Sequence, residues 1–264
     1  SYVIHKLDYR LDWIDFARVK LGFSESVVYG ARGIDMNYLF PFNSYWSIQH
    51  YLGDSDNVQM HGYLDVNFKK VSFFYNILID EWRPEETLGI NNRNWFGHHL
   101  GIVYKDLFSK DKLIIEFVWN DHRIYRHKFK INDYYSHNYP LGFWAGPHSQ
   151  EVLGIYKLEL DLKTSIEVLY SNSKRGVLSS EMLENQYASV ENPRFSGIVE
   201  SKQIASIVLK KEVYSNTVFE IGTSYINWTN AGFKPYQNSD NIYDESELID
   251  IEKISFNTSL FYNF

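Results

Sequence analysis

The sequence predicts an all-β fold: an antiparallel, up-and-down β-barrel that spans a membrane as one domain over residues 1–264. Three observations predict it. Period-two alternation of apolar and polar residues recurs from one end of the chain to the other. Aromatic residues are unusually abundant, with 21 Tyr, 18 Phe and 7 Trp, yet the mean hydropathy is −0.35. The alternation also runs onto the last residue, Phe264.

The alternation fixes the elements one by one. Leu7, Tyr9, Leu11 and Trp13 oppose Lys6, Asp8, Arg10 and Asp12, giving a strand with one charged face. Ala17, Val19, Leu21 and Phe23 oppose Arg18, Lys20 and Ser24. Met60, Leu64, Val66 and Phe68 oppose His61, Tyr63, Asp65 and Asn67, and Val71, Phe73, Tyr75, Ile77 and Ile79 oppose Ser72, Asn76 and Asp80. Further strands are expected at 100–104, 113–119, 152–162, 165–170, 204–210 and 218–228. About 12 strands of roughly ten residues result, close to the length a tilted strand needs to cross hydrocarbon. Helical periodicity is hard to find. Pro41, Pro84, Pro140, Pro147, Pro193 and Pro235 fall between strands, where a missing N–H harms no ladder. Short turns such as Lys69-Lys70 and Lys110-Asp111 contrast with long connections at 83–95, 122–149, 172–196 and 229–247, the layout of a membrane barrel.

Alternation alone does not separate a membrane barrel from a soluble sandwich. The C-terminus favours the barrel. Ile254, Phe256, Thr258, Leu260, Tyr262 and Phe264 form one face ending on a terminal aromatic. That arrangement resembles the signal read by the outer-membrane barrel assembly machinery, with Phe256, Leu260, Tyr262 and Phe264 carrying it. Tyr9, Trp13, Trp82, Trp119, Tyr170 and Trp228 near strand ends match the aromatic girdles of such barrels.

Composition excludes several classes. No stretch approaches the ~20 apolar residues of a membrane helix. Cysteine is absent, so disulfides and thiolate metal sites are excluded. The net charge of −7 argues against nucleic acid as a partner, which requires clustered Lys and Arg. No cofactor and no metal are expected. Ser1 opens the sequence without an initiator Met or an apolar leader, so any export signal is expected to have been removed or to lie outside this sequence.

Several segments resemble the capsule-assembly Wzi family of outer-membrane proteins. They are His5-Lys6-Leu7-Asp8, the run Leu21-Gly22-Phe23-Ser24-Glu25-Ser26-Val27-Val28-Tyr29-Gly30, and Tyr38-Leu39-Phe40-Pro41-Phe42-Asn43. Gly53-Asp54-Ser55-Asp56-Asn57, Asn76-Ile77-Leu78-Ile79-Asp80-Glu81 and the Gly-rich stretch from Tyr139 to Ser149 complete the set. The resemblance implies an 18-stranded barrel with a helical plug that holds capsular polysaccharide at the cell surface as a lectin, without catalysis. This chain departs from that pattern in showing too few strands and no plug before Ser1. The expected reconciliation is that residues before Ser1 are missing and the full barrel has up to 18 strands; a smaller barrel of about 12 strands, closed on its own, is the alternative.

Candidate chemistry is sparse. His148-Ser149 invites a lipid-hydrolase reading, but neighbours on a strand point to opposite faces, so the pair is a poor nucleophile and base. His98-His99, His122 and His127 lack the spacing of a metal set. Glu25, Asp80 and Glu81 with Arg10, Arg18 and Arg32 are expected to form an ion-pair network in the barrel interior. Sugar recognition combines flat aromatic rings with planar polar groups, and the long loops carry both. Trp95 with Asn91, Asn92, Arg93 and Asn94, and Tyr134, Tyr135, His137, Asn138, Tyr139, Trp144 and His148, are the candidate glycan-binding residues. The expected function is therefore non-enzymatic binding of capsular or other surface polysaccharide in a bacterial outer membrane, among outer-membrane lipid and lipopolysaccharide. A diffusion porin is the alternative, and a lipid hydrolase the second alternative.

Overall fold

The computed structural model describes residues 1–11, 17–30, 32–40, 42–83, 94–136, 139–177, 194–195, 197–231 and 248–262. The strands are β1 (Tyr2–Leu11), β2 (Arg18–Val28), β3 (Asn57–Phe68), β4 (Val71–Glu81), β5 (Trp95–Lys105), β6 (Asp111–Asn120), β7 (Tyr135–Ser136), β8 (Tyr139–Pro140), β9 (Ser149–Glu159), β10 (Thr164–Gly176), β11 (Val199–Tyr214), β12 (Thr217–Ala231) and β13 (Ile249–Tyr262). Two short helices, α1 (Met36–Leu39) and α2 (Tyr45–Tyr51), lie between β2 and β3.

Eleven strands form one antiparallel sheet in simple sequence order, with β7 and β8 pairing separately inside the β6–β9 connection. The all-β, up-and-down expectation is met, with eleven sheet strands where about 12 were expected. Strands β1 and β13 are the two edges, and among the described residues they do not pair with each other. No described helix is long and apolar enough to cross a membrane.

Connections sort by end. Residues 69–70, 106–110, 160–163 and 215–216 close one end with tight turns. Lys69 (φ 48°) and Asn216 (φ 68°) supply the left-handed backbone that two-residue hairpins demand. The strand ends that flank the longer connections, at Val28 and Asn57, Glu81 and Trp95, Asn120 and Ser149, Gly176 and Val199, and Ala231 and Ile249, lie at the other end.

The two faces of the sheet differ in an order opposite to that of a water-soluble sheet packed on a core. One row of directly paired residues reads Leu11, Val19, Val66, Phe73, Ile102, Ile115, Gly154, Tyr170, Ala205, Tyr225 and Ile254 from edge to edge, without a charge. With strands ~4.8 Å apart, that row extends roughly 50 Å. Yet this apolar face is the exposed one. In β11, Ala205, Ile207 and Leu209 are exposed while their neighbours Lys202, Ile204, Ser206 and Lys210 are half-buried. Phe256 is 82% exposed. The opposite face carries cross-strand ion pairs, Lys157–Glu167 at 2.6 Å and Lys210–Glu220 at 2.8 Å.

Among the described residues, two clusters of buried apolar side chains lie at the long-connection end. One cluster joins Val27, Tyr29, Tyr38, Tyr45 and Val58, and a second joins Val28, Trp95, Ile124, Tyr125 and Tyr134. The first holds the 29–56 segment against the sheet. Asp35 and Ser44 cap α1 and α2 by accepting from the backbone N–H groups of Asn37 and Ser47.

The ion-pair network differs from the one expected. Glu25 belongs to the apolar face, in register with His5, and its carboxylate accepts from the Tyr45 N–H at 2.9 Å. Arg32 grips Asp56 through two hydrogen bonds of 2.8 and 2.6 Å within the 29–56 segment. A carboxylate at a strand end is more cheaply satisfied by a nearby helix N-terminus than by a distant cation.

Candidate functional site

The 121–148 connection folds back across the polar face of the sheet. Its root is locked by Arg123, which donates to Asp121 through Nε at 2.9 Å and Nη2 at 3.0 Å and to the Asn94 carbonyl at 3.0 Å. Burial pushes the Asp121 carboxyl up, but Arg123 outweighs it and holds the group below its ordinary value. Further along, the Tyr125 N–H donates to Asp80 at 2.5 Å, and the Tyr125 hydroxyl accepts from the Phe143 N–H at 3.0 Å. Burial drives that hydroxyl up to about 12, so it stays protonated. A Cβ at Gly142 would lie 2.3 Å from the same hydroxyl, so only glycine lets the chain pass there.

Beneath this span lies a cavity of about 320 Å³. Its walls include His61, Tyr63, Asn76, His99 and Asn120 from the strands, with Tyr125 and Phe143 above. The volume is at the small end of the range for ligand sites. Trp144 sits beside Phe143, with ring centroids 5.7 Å apart, and is 49% exposed. Its indole N–H donates to Glu151 at 3.0 Å, and the other oxygen of Glu151 accepts from Ser171 at 2.6 Å. His99 and Glu116 pair at 3.0 Å on the same face. The arrangement offers an aromatic platform flanked by planar polar groups.

The sequence-predicted residues divide sharply. Trp144 is half-exposed and packs beside Phe143, which lines this cavity. Trp95 is 1% exposed, and it packs with Tyr134 and half-buried Tyr135 in the second core cluster, so these rings serve the connection's own interior. Tyr139 is exposed in β8. His148 is buried: its ring stacks on Phe195, its Nδ1 meets the Val177 carbonyl at 2.8 Å, and its Nε2 accepts from the Phe195 N–H at 3.0 Å. Asn91, Asn92, Arg93, His137, Asn138 and Phe264 lie outside the described residues. Phe256, Leu260 and Tyr262 lie on the exposed apolar face of β13.

The hydrolase pair does not assemble. Ser149 donates to the Gly146 carbonyl at 2.6 Å, and both His148 nitrogens are engaged with backbone. His98 and His99 project to opposite faces, and no metal-holding group occurs among the described residues. Burial lowers His122 to about 4 and also lowers His148, leaving both neutral.

Sequence reasoning missed Asn76, His99, Glu116 and Glu151, because a strand's polar alternation looks alike whether it faces a ligand or water. No protein-family model matches the chain, and no curated protein matches it. Among solved structures it is similar to Wzi of Escherichia coli, described as an outer-membrane protein involved in group 1 capsule assembly and a carbohydrate-binding β-barrel. The two share 18% identity at a TM-score of 0.53, over 86% of this chain and 48% of that one. The chain therefore spans about half the length of that protein, and the likeness establishes a β-barrel-type fold.

Proposed function

We propose that this protein is a non-enzymatic outer-membrane β-barrel domain that binds exported surface polysaccharide, capsular glycan in particular. The observation that carries the binding site is the Trp144 indole, half-exposed, fixed by Glu151 and packed on Phe143, a wall residue of the polar-face cavity. A pyranose face stacks on such a ring while its hydroxyls reach Glu151, and a following sugar of the same polysaccharide reaches Asn76 and His99 in the cavity. The uncharged outward row supports the membrane setting, since lipid is the solvent in which exposed apolar side chains are stable. The carbohydrate-binding neighbour supports the ligand class. Outer-membrane lipid and lipopolysaccharide would contact the apolar face. The barrel assembly machinery would read the Phe256, Leu260, Tyr262 and Phe264 side of the last strand.

A lectin role is favoured over a porin because the 121–148 connection is pinned over the polar face by Asp80 and Asn94. The test is retention of detergent-solubilised protein on immobilised capsular polysaccharide. Retention that disappears in Trp144→Ala supports the reading. Retention unchanged in that variant removes the site, and no retention on any capsular glycan removes the function.

A further inference from the structure

The 29–56 segment lies against the outward face of the sheet. His5 and Glu25 belong to the register row directly above Leu7, Phe23 and Gly62, the top of the apolar band. α2 closes over that row: the Tyr45 ring lies 4.1 Å from His5, and the Tyr45 and Trp46 N–H groups both donate to Glu25. The start of α2 is therefore about two residues, or ~7 Å, above the level of Phe23.

What the segment turns outward is rich in large apolar side chains, interspersed with the exposed polar residues Arg32, Asn37, Ser47 and His50. Ile34, Met36, Phe40, Phe42, Trp46 and Tyr51 are all exposed, Phe42 at 88%. Their neighbours Tyr38 and Tyr45 satisfy the local packing from within. Directly below, a groove of about 400 Å³ opens where Gly62 has no side chain, walled by Leu7, Leu21, Phe23, Leu64 and Ile77 and by no charged residue. A soluble partner would meet an isolated oily patch. Here the patch is continuous with the band beneath it.

We infer that the 29–56 segment is an interfacial anchor whose exposed aromatics insert at the boundary between headgroups and acyl chains of the outer leaflet. The inference rests on the outer-membrane reading and adds to it a second, non-strand membrane contact. Aromatic rings at that depth gain apolar burial while keeping their polar edges hydrated. The anchor fixes the height of the barrel, and it sets the loop end, with Trp144, at a constant distance from the membrane surface.

The absence of cysteine makes the test clean. Single variants Phe42→Cys, Ile207→Cys and Ser206→Cys are spin-labelled and reconstituted in phosphatidylethanolamine–phosphatidylglycerol vesicles. Collision with oxygen and with a water-soluble nickel chelate is then compared. The expected result is an oxygen-dominated signal at Ile207, a mixed interfacial signal at Phe42 and a nickel-dominated signal at Ser206. A nickel-dominated signal at Phe42 beside an oxygen-dominated Ile207 overturns the anchor and leaves the barrel standing. A nickel-dominated Ile207 overturns the membrane reading and the anchor together. Since Phe42 is almost wholly exposed, its replacement removes only the edge contact of its ring with Phe40.

Discussion

The indole N–H of Trp144 donates a 3.0 Å hydrogen bond to Glu151, joining an exposed loop aromatic to a side chain rooted in β9. The bond ties the orientation of the ring to the sheet rather than to the loop. Trp144→Ala should weaken binding of capsular glycan by about 1–3 kcal/mol, the range of a lost aromatic stacking contact. The melting temperature should hardly change. Trp95→Ala should do the reverse, costing about 3–5 kcal/mol of stability because the ring fills a core site, with binding lost only as folding is lost. Calorimetric titration beside thermal denaturation separates the two.

Acidification should loosen the 121–148 connection. His122 titrates near 4 in the folded chain because burial disfavours its charge, against about 6.5 unfolded. The unfolded state therefore binds more protons between those values, and stability falls as pH drops through that window. Moving from pH 7 to 5 should cost about 2 kcal/mol from this group. Protonated His148 would also lose its acceptor for the Phe195 N–H. Hydrogen exchange should quicken across 121–148 at pH 5, and His122→Gln should flatten much of the dependence. Equal exchange rates at pH 5 and pH 7 in the parent protein would contradict the account.

Arg123→Ala should destabilise the rim by about 3–5 kcal/mol, since it strands the buried Asp121 carboxylate without its cation. Arg123→Lys should recover little, because one ammonium cannot reproduce the paired Nε and Nη2 bonds or also reach the Asn94 carbonyl. Chemical denaturation of the three proteins in the same detergent gives the ranking.

On β11 the response to a new charge should depend on parity. Ile207→Lys should cost about 2–4 kcal/mol in lipid, while Ser206→Lys, one position away on the polar face, should cost under about 1 kcal/mol. Unfolding titrations in vesicles measure both. Equal penalties would mean that the two faces meet the same medium.

The sheet was readable because its signal is local and repeated. Each pair such as Ser206 and Ile207 announces its own faces, and eleven such strands agree. α1 and α2 were not readable, because so few turns cannot express a 3.6-residue period. Trp144, named from its loop, is half-exposed. Trp95 and Tyr134 were chosen by the same reasoning but lie inside, since a connection as long as 121–148 builds a small core of its own. Glu151 and His99 carry no distinguishing pattern, and their convergence depends on strand register that no short window encodes.

The outward row from Leu11 to Ile254 has one more implication. In the outer-membrane setting proposed above, its side chains abut fluid acyl tails, which reshape around whatever they meet, so nothing there demands a particular contour. Ile207 should accept leucine, valine or phenylalanine almost interchangeably, while Tyr38, wedged between Tyr29 and Tyr45, should accept none of them. Over evolutionary time the broad outer wall should therefore drift freely in shape while staying oily, and the few tightly fitted rings at the rim should stand still.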